Sequence, residues 1–156
     1  MNNIHVLSRG ILIKDNHILL CKTKILENNF YFLPGGHIEH GESAKDTLLR
    51  EFLEETGFNV SIKRFLGCLE NRFPAGYTTL CHNHEYNMFF EINSENFPEV
   101  KEPLVQVEEG QDIVWMNLDD LNKIDLRPNY PLHNLIAEWL NLDLNDSFRS
   151  MKIEKV

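Results

Sequence analysis

The chain has 156 residues, 42% of them hydrophobic, with a formal net charge of -9 and a pI near 5.2. That size and apolar content fit one globular domain with one core and exclude a disordered chain. The acidic balance excludes a reader of nucleic-acid duplexes, which would carry a basic stripe; an acidic protein that handles anionic substrates needs metal cations as intermediaries.

Cys21, Cys68 and Cys81 are an odd set without a CxxC pair. They build neither a disulfide framework nor a four-cysteine zinc site, and free thiols fit a reducing compartment. The N-terminal "MNNIHVLSRGILIKDNH" has only short apolar runs, broken by Arg9 and Lys14. It offers neither a signal-peptide core nor a membrane span, so a cytoplasmic protein without a membrane partner is expected.

"IHVLSRGILI" and "HILLCKT" are β-rich runs separated by "KDN", the pattern of a hairpin. "NNFYFLPGG" predicts a short aromatic strand ended by Pro34, which has no N–H for a ladder, with Gly35 and Gly36 as a turn. Ser43 is a good N-cap, supported by Asp46 in an approximate capping box, and Gly57 is a left-handed stop, so a helix runs between them. "NVSIKRFLGCLENRF" and "EYNMFFEIN" predict strands, the second alternating Tyr86, Met88, Phe90 and Ile92 against Asn87, Phe89 and Glu91. The polar stretch from Ser94 to Gly110 is loop or edge, "DIVWMNL" a strand and "LDDLNKI" a short helical turn. "PLHNLIAEWL" places Leu132, Leu135, Ile136, Trp139 and Leu140 on one helical face, with Pro131 in its first turn. Residues 1–141 therefore form a single α+β domain, and 142–156 a short, polar, loosely held tail.

The helix after Ser43 carries an unusual charge pattern. With about 100° per residue and Glu51 at zero, Glu54 lies near about -60° and Glu55 near about +40°, so the three carboxylates form one patch. Leu48, Phe52, Leu49 and Leu53 fall on the other side, which the helix is expected to bury. A glutamate cluster is often only a solvated face. Here Glu54 and Glu55 sit near the helix C-terminus, where the macrodipole disfavours anions, and no lysine stands four residues away. Arg50 can brace one carboxylate; the remaining charge asks for a hard cation such as Mg²⁺ or Mn²⁺. Gly35 and Gly36 allow close approach of the backbone to a ligand, although a Gly-Gly pair is by itself an ordinary turn.

Gly36, five residues, Glu42, seven residues, Arg50-Glu51-Phe52, one residue, Glu54-Glu55, one residue, Gly57-Phe58: this segment resembles the Nudix box, G-x5-E-x7-R-E-U-x-E-E-x-G-U with U apolar, at every specified position. Chance agreement is on the order of 10⁻⁹ per window. The resemblance implies a mixed β-sheet sandwiched between α-helices, with the box as loop-helix-loop. It also implies Mg²⁺- or Mn²⁺-dependent hydrolysis of a nucleoside diphosphate linked to a moiety X. By motif position, Glu51, Glu54 and Glu55 are implied as metal ligands, with a carbonyl of Gly35 or Gly36 as a further one. Arg50 is implied as the orienting partner and Glu42 as a loop-stabilising residue. "EEGQ" resembles the "EGQ" of MutT-like members, making Glu109 a candidate ligand or general base, with Glu108 one step away. The attacking water's proton goes to Glu51 or Glu109, an assignment the spacing leaves open.

Substrate choice is less marked. Pro74 lies sixteen residues beyond Phe58, a spacing that resembles a marker of ADP-ribose hydrolases in this family. Phe73, Tyr77, Tyr31 and Phe32 are either base-stacking residues or core; Arg72 and Arg127 are either phosphate contacts or surface. In "CHNHE", Cys81, His82 and His84 raise a zinc question without an evident third ligand, so His84 is read as a substrate contact or polar surface. The expected substrate is of ADP-ribose or nucleotide-sugar type. The competing readings are a MutT-like nucleoside triphosphate pyrophosphohydrolase, a non-catalytic nucleotide sensor and a prenyl-diphosphate isomerase. The sequence leaves a homodimer open.

Overall fold

The structure, a computed structural model, describes residues 3–23, 29–74, 83–100, 104, 109–128 and 130–141, together with the backbone of 148–152. The strands are β1 (Ile4–Ile11), β2 (Ile13–Lys14), β3 (His17–Thr23), β4 (Tyr31–Phe32) and β5 (Gly35–His37). Helix α1 (Ala44–Thr56) is followed by β6 (Ser61–Arg72), β7 (His84–Asn93) and β8 (Gln111–Asn117). A 3-10 helix (Leu118–Lys123) leads to β9 (Leu126–Arg127), α2 (Leu132–Asn141) and β10 (Phe148–Lys152).

The predicted hairpin forms only at its turn, between β2 and β3 with Lys14 opposite His17, whereas β1, most of its leading run, pairs with β5 and β7 in the other sheet. Asp15 and Asn16 fill its two-residue turn at φ 48° and 60°, a conformation that short polar side chains tolerate. One sheet has the order β10-β6-β7-β1-β5, the other β2-β3-β4-β9 with β8 paired to β3. β1 runs parallel to β7 and antiparallel to β5.

The first sheet lies between the two helices. On one face, Phe90 and Ile92 pack with Leu48 and Phe52 of α1; on the other, Leu69 and Phe89 pack with Leu135, Ile136 and Trp139 of α2. β3 contributes to both clusters, Ile18 and Leu20 to one, Leu19 and Cys21 to the other. This is the mixed α+β sandwich expected from the sequence. Trp139 is fully buried, and its ring lies 5.3 Å from Phe89. Trp139→Ala is expected to cost about 3–5 kcal/mol, read as a drop in the urea midpoint at unchanged slope.

Several local expectations differ from what forms. The glycine pair is part of a strand, β5, bonded to β1, because Pro34 interrupts the ladder without reversing the chain. Strand β7 buries both faces: Glu85, Asn87 and Phe89 are buried as well as Phe90 and Ile92, since helices cover both sides. Within the polar stretch after Asn93, Phe97 is buried against Phe52, Phe58 and Trp115, so an isolated aromatic anchors that segment. Within the segment read as a loose tail, Phe148–Lys152 adds a parallel edge strand to β6. No described helix is long and apolar enough to cross a membrane.

Candidate active site

α1 starts and stops where its capping residues dictate. Ser43 Oγ accepts the Asp46 N–H at 3.1 Å, and Gly57, at φ 75°, donates its N–H to the Leu53 carbonyl at 2.8 Å. The helix is seated on the edge of the first sheet by polar contacts. Ser8 Oγ donates to the Ala44 carbonyl at 2.7 Å, and the Gly35 N–H donates to Glu55 Oε2 at 2.8 Å.

That seating corrects the helical wheel. Leu48 and Phe52 are fully buried, but Leu49 and Leu53 are 39% and 43% exposed, while Glu55 is only 6% exposed. The glycine strand lies under α1 and draws the acidic stripe inward, so the helix turns Leu49 and Leu53 toward water. The three carboxylates thus occupy different environments: Glu55 is buried against β5, Glu51 is half-buried over Gly36, and Glu54 is exposed.

Gly35 and Gly36 have separate reasons to be glycine. Gly35 sits at φ 126°, where a Cβ would fall on the Ser8 carbonyl oxygen. At Gly36 a Cβ would fill the space taken by the Glu51 carboxylate. The Gly35 carbonyl accepts from Arg9 Nη1 at 2.6 Å, and the same nitrogen reaches the Leu33 carbonyl at 3.1 Å. Arg9 therefore fixes the glycine strand from the face opposite α1. Its position inside an apolar strand was the signal in the sequence, because a charge there needs partners.

Arg50 braces the carboxylates. Its Nε and Nη2 donate to the two oxygens of Glu42 at 2.7 and 3.0 Å, and Nη1 donates to Glu51 Oε1 at 3.0 Å and Glu54 Oε2 at 3.2 Å. Thr47 Oγ1 adds a 2.8 Å bond to Glu42 Oε2. These donors hold the Glu42 carboxyl at about 2, Arg50 first and Thr47 next. Burial pushes the Glu51 carboxyl up, against the pull of Arg50.

Glu42 is thus the clamp that orients Arg50, which in turn spaces Glu51 and Glu54. Its depressed pKa gives a pH signature. The stabilisation is complete above the ordinary value of 4.5 and is lost as pH falls from there toward 2. Glu42→Gln is expected to melt at a temperature that falls less steeply than the wild type over that interval. A parallel pair of acid-limb melting curves checks this.

The donor types suit a hard divalent ion: three carboxylates within about one turn of one helix, plus a backbone carbonyl that keeps a second lone pair. Among the described residues, no three His, Cys, Asp or Glu side chains already converge as a closed metal cluster, and Arg50 stands between Glu51 and Glu54.

The remaining predicted residues are dispersed. Glu109 is exposed in the turn before β8, in the other sheet, and Glu108 lies outside the described residues, as do Tyr77, Cys81 and His82. Arg72 and His84 stand opposite each other on β6 and β7 and line a cavity of about 290 Å³ with Phe73. Both are tied to Glu70, His84 Nε2 at 2.8 Å and Arg72 Nε at 3.6 Å. Phe73 is buried, and Pro74 follows it at the strand end. Arg127 lies 4.1 Å from the Phe30 ring centre and pairs with Asp125 at 2.9 Å, on the second sheet. Tyr31 and Phe32 are half-buried against opposite core clusters.

Fold and box together define a Nudix domain. The family profile for the NUDIX domain matches residues 4–140, and the chain belongs to that family. It is 42% identical over 73 residues to an ADP-ribose pyrophosphatase of Methanocaldococcus jannaschii, covering 44% of this chain and 42% of that protein. It is 40% identical over 57 residues to a putative 8-oxo-dGTP diphosphatase of Bacillus subtilis, covering 36% and 37%. Each match thus spans less than half of the curated relative. A solved NUDIX hydrolase from Nitrosomonas europaea superposes with a TM-score of 0.68 at 21% identity, covering 86% of this chain and 87% of that one, which establishes the fold.

Proposed function

We propose that the protein is a pyrophosphohydrolase that cleaves the diphosphate bond of a nucleoside diphosphate linked to a second moiety, of ADP-ribose or nucleotide-sugar type. The observation that carries this reading is the convergence of Glu51 and Glu55 on the Gly35–Gly36 strand, with Arg50 clamped by Glu42 beside them.

Glu51, Glu54, Glu55 and the Gly35 carbonyl are the residues to hold Mg²⁺ or Mn²⁺, which when bound neutralises phosphate charge and lowers the pKa of a coordinated water. The protein's own groups do the rest. Arg9 and the Glu55 carboxylate fix the two polar atoms of Gly35, so the backbone floor is set before substrate arrives. Arg50 keeps Glu51 and Glu54 apart and in fixed rotamers. Glu51, whose pKa burial raises, accepts the proton of the attacking water, with Glu109 as the competing base. Arg72, His84 and Pro74, gathered at the ends of β6 and β7, supply contacts to the substrate from the first sheet. Tyr77 and Arg127 are candidates for the same task.

The similarity to the Bacillus subtilis protein favours a second reading, a pyrophosphohydrolase of nucleoside triphosphates. The reducing environment suited to Cys21 and Cys68 makes the cytoplasm the proposed location. The deciding experiment is a substrate panel with Mg²⁺ and Mn²⁺, with products identified by mass. It includes ADP-ribose, nucleotide sugars, nucleoside triphosphates including oxidised guanine forms, and dinucleoside polyphosphates. Cleavage of none of them, with tight nucleotide binding, makes the protein a sensor and ends the enzymatic reading.

A further inference from the structure

Arg127 is held more closely than its place on an edge strand requires. It stands on β9 in register with Phe32 of β4, and Asp125 and Phe30 lie two residues before them on the chain. Side chains two apart in extended chain share a face, so Asp125, Arg127, Phe30 and Phe32 lie on one side. On that side Phe32 packs against the cluster that contains Leu48 and Phe52 of α1, the helix that carries the box glutamates.

The Arg127 guanidinium carbon lies 4.1 Å over the centre of the Phe30 ring, a stacking distance. Asp125 grips one edge of the same group: Nε lies 3.3 Å from each carboxylate oxygen, and Nη2 donates to Oδ2 at 2.9 Å. Nη1 has no hydrogen-bond partner among the described residues, and the side chain is 44% exposed. Phe30 thus covers one face of the plane and Asp125 one edge, which leaves the other face and the Nη1 edge to the outside.

Stability does not account for this. An exposed ion pair and an exposed cation–ring contact each contribute at most about 1 kcal/mol, and β4 and β9 are already joined through their backbones. The arrangement supplies instead a flat cation whose rotamer freedom is already lost, so a planar partner binds it with little further ordering. The reaction centre is close. Phe32 precedes Gly35 by three residues, a span of at most about 11 Å, and β9 lies one strand spacing of about 5 Å beyond.

We propose that Arg127 is a specificity-determining residue that stacks the nucleobase of the substrate on its open face, with Nη1 donating to an acceptor on the ring. Phe30 and Asp125 hold it for that contact. The placement of the base beyond the diphosphate rests on the pyrophosphohydrolase reading. Guanidinium planes stack on bases, and every base carries an edge acceptor. A phosphate is the poorer occupant, because the Asp125 carboxylate already balances the charge of Arg127 and repels a second anion. Purines offer the larger stacking area and are the preferred bases.

Nucleosides without phosphate test this apart from catalysis, because they need neither the glutamates nor a metal. Adenosine, inosine, cytidine and ribose 5-phosphate are titrated to millimolar concentration. The Arg127 Nε–H signal, identified by its loss in Arg127→Lys, is followed by ¹H–¹⁵N NMR. Adenosine and inosine are expected to shift it, cytidine to bind at least about threefold more weakly, and ribose 5-phosphate to leave it in place. Arg127→Lys keeps the charge and removes the plane, so it is expected to weaken adenosine binding about tenfold, as Arg127→Ala does, read from backbone amide shifts. Adenosine binding unchanged by Arg127→Lys, a signal that no nucleoside moves, or an equal response to ribose 5-phosphate overturns the assignment. A failed substrate panel with the adenosine shift intact overturns the enzymatic reading alone, and turnover with an unmoved Arg127 signal overturns this inference alone.

Discussion

Glu54→Gln is expected to lower kcat/KM for the diphosphate substrate by about 10²–10³-fold while leaving the melting temperature within a degree or two of wild type. The Glu54 side chain is 57% exposed, and it meets Arg50 Nη1 at 3.2 Å, a surface pair of little stabilising value. The fold therefore loses almost nothing. The proposed cation site loses one full negative charge and one of its hard oxygen donors, since an amide oxygen is a weaker ligand for Mg²⁺. Glu55 provides the contrast. It is buried and receives the Gly35 N–H, so Glu55→Ala is expected to lower activity and stability together, by about 1–3 kcal/mol for the orphaned donor. Steady-state kinetics beside thermal melts of both variants checks the split. Wild-type turnover by Glu54→Gln removes Glu54 from the site.

The two glycines are expected to fail in different ways. Gly35→Ala forces an L residue to φ 126° and drives its methyl into the Ser8 carbonyl oxygen, backbone that β1 holds on both sides. The variant is expected to lose roughly 3 kcal/mol or more, a large share of a small domain's stability. At Gly36 the φ angle is ordinary, and the nearest atoms the methyl would meet are the carboxylate end of Glu51, which can swing aside. Gly36→Ala is thus expected to fold with a loss below about 1 kcal/mol and to lose about 100-fold in kcat, because Glu51 no longer lies over the strand. Denaturant midpoints and kcat for the pair separate the roles; equal stability losses would refute the assignment of the second glycine.

Much of this was legible in the sequence because it is local. The helix ends follow from Ser43 and Gly57, and the box spacing fixes which glutamates share a helix turn. What the wheel could not give was the orientation of α1 on the sheet. Glu55 and Leu53 exchange their expected environments because the glycine strand, distant in sequence from the helix's middle, offers a backbone N–H to a carboxylate and nothing to a leucine. Arg9 was visible as a charge among apolar neighbours, but its partners on the Leu33–Gly35 segment arise only from the pairing of β1 with β5. The buried polar row on β7 escaped for a related reason. Alternation assigns one face to the core, whereas helices cover both faces of this strand, and Glu85 and Asn87 occupy the face taken for the outer one. Contacts such as these depend on tertiary pairing, which propensity does not encode.

The parallel pairing of β1 with β7 governs when the site comes into being. The box is complete in sequence once Phe58 has been made, yet the floor beneath Glu51 and Glu55 is held by β1, and β1 docks along β7 between His84 and Glu91. On the ribosome, the N-terminal strand therefore waits with one long edge open until that stretch has emerged, and the carboxylates have no platform in the interval. A nascent chain that ends between the box and β7 is therefore expected to lack the platform that the proposed site needs.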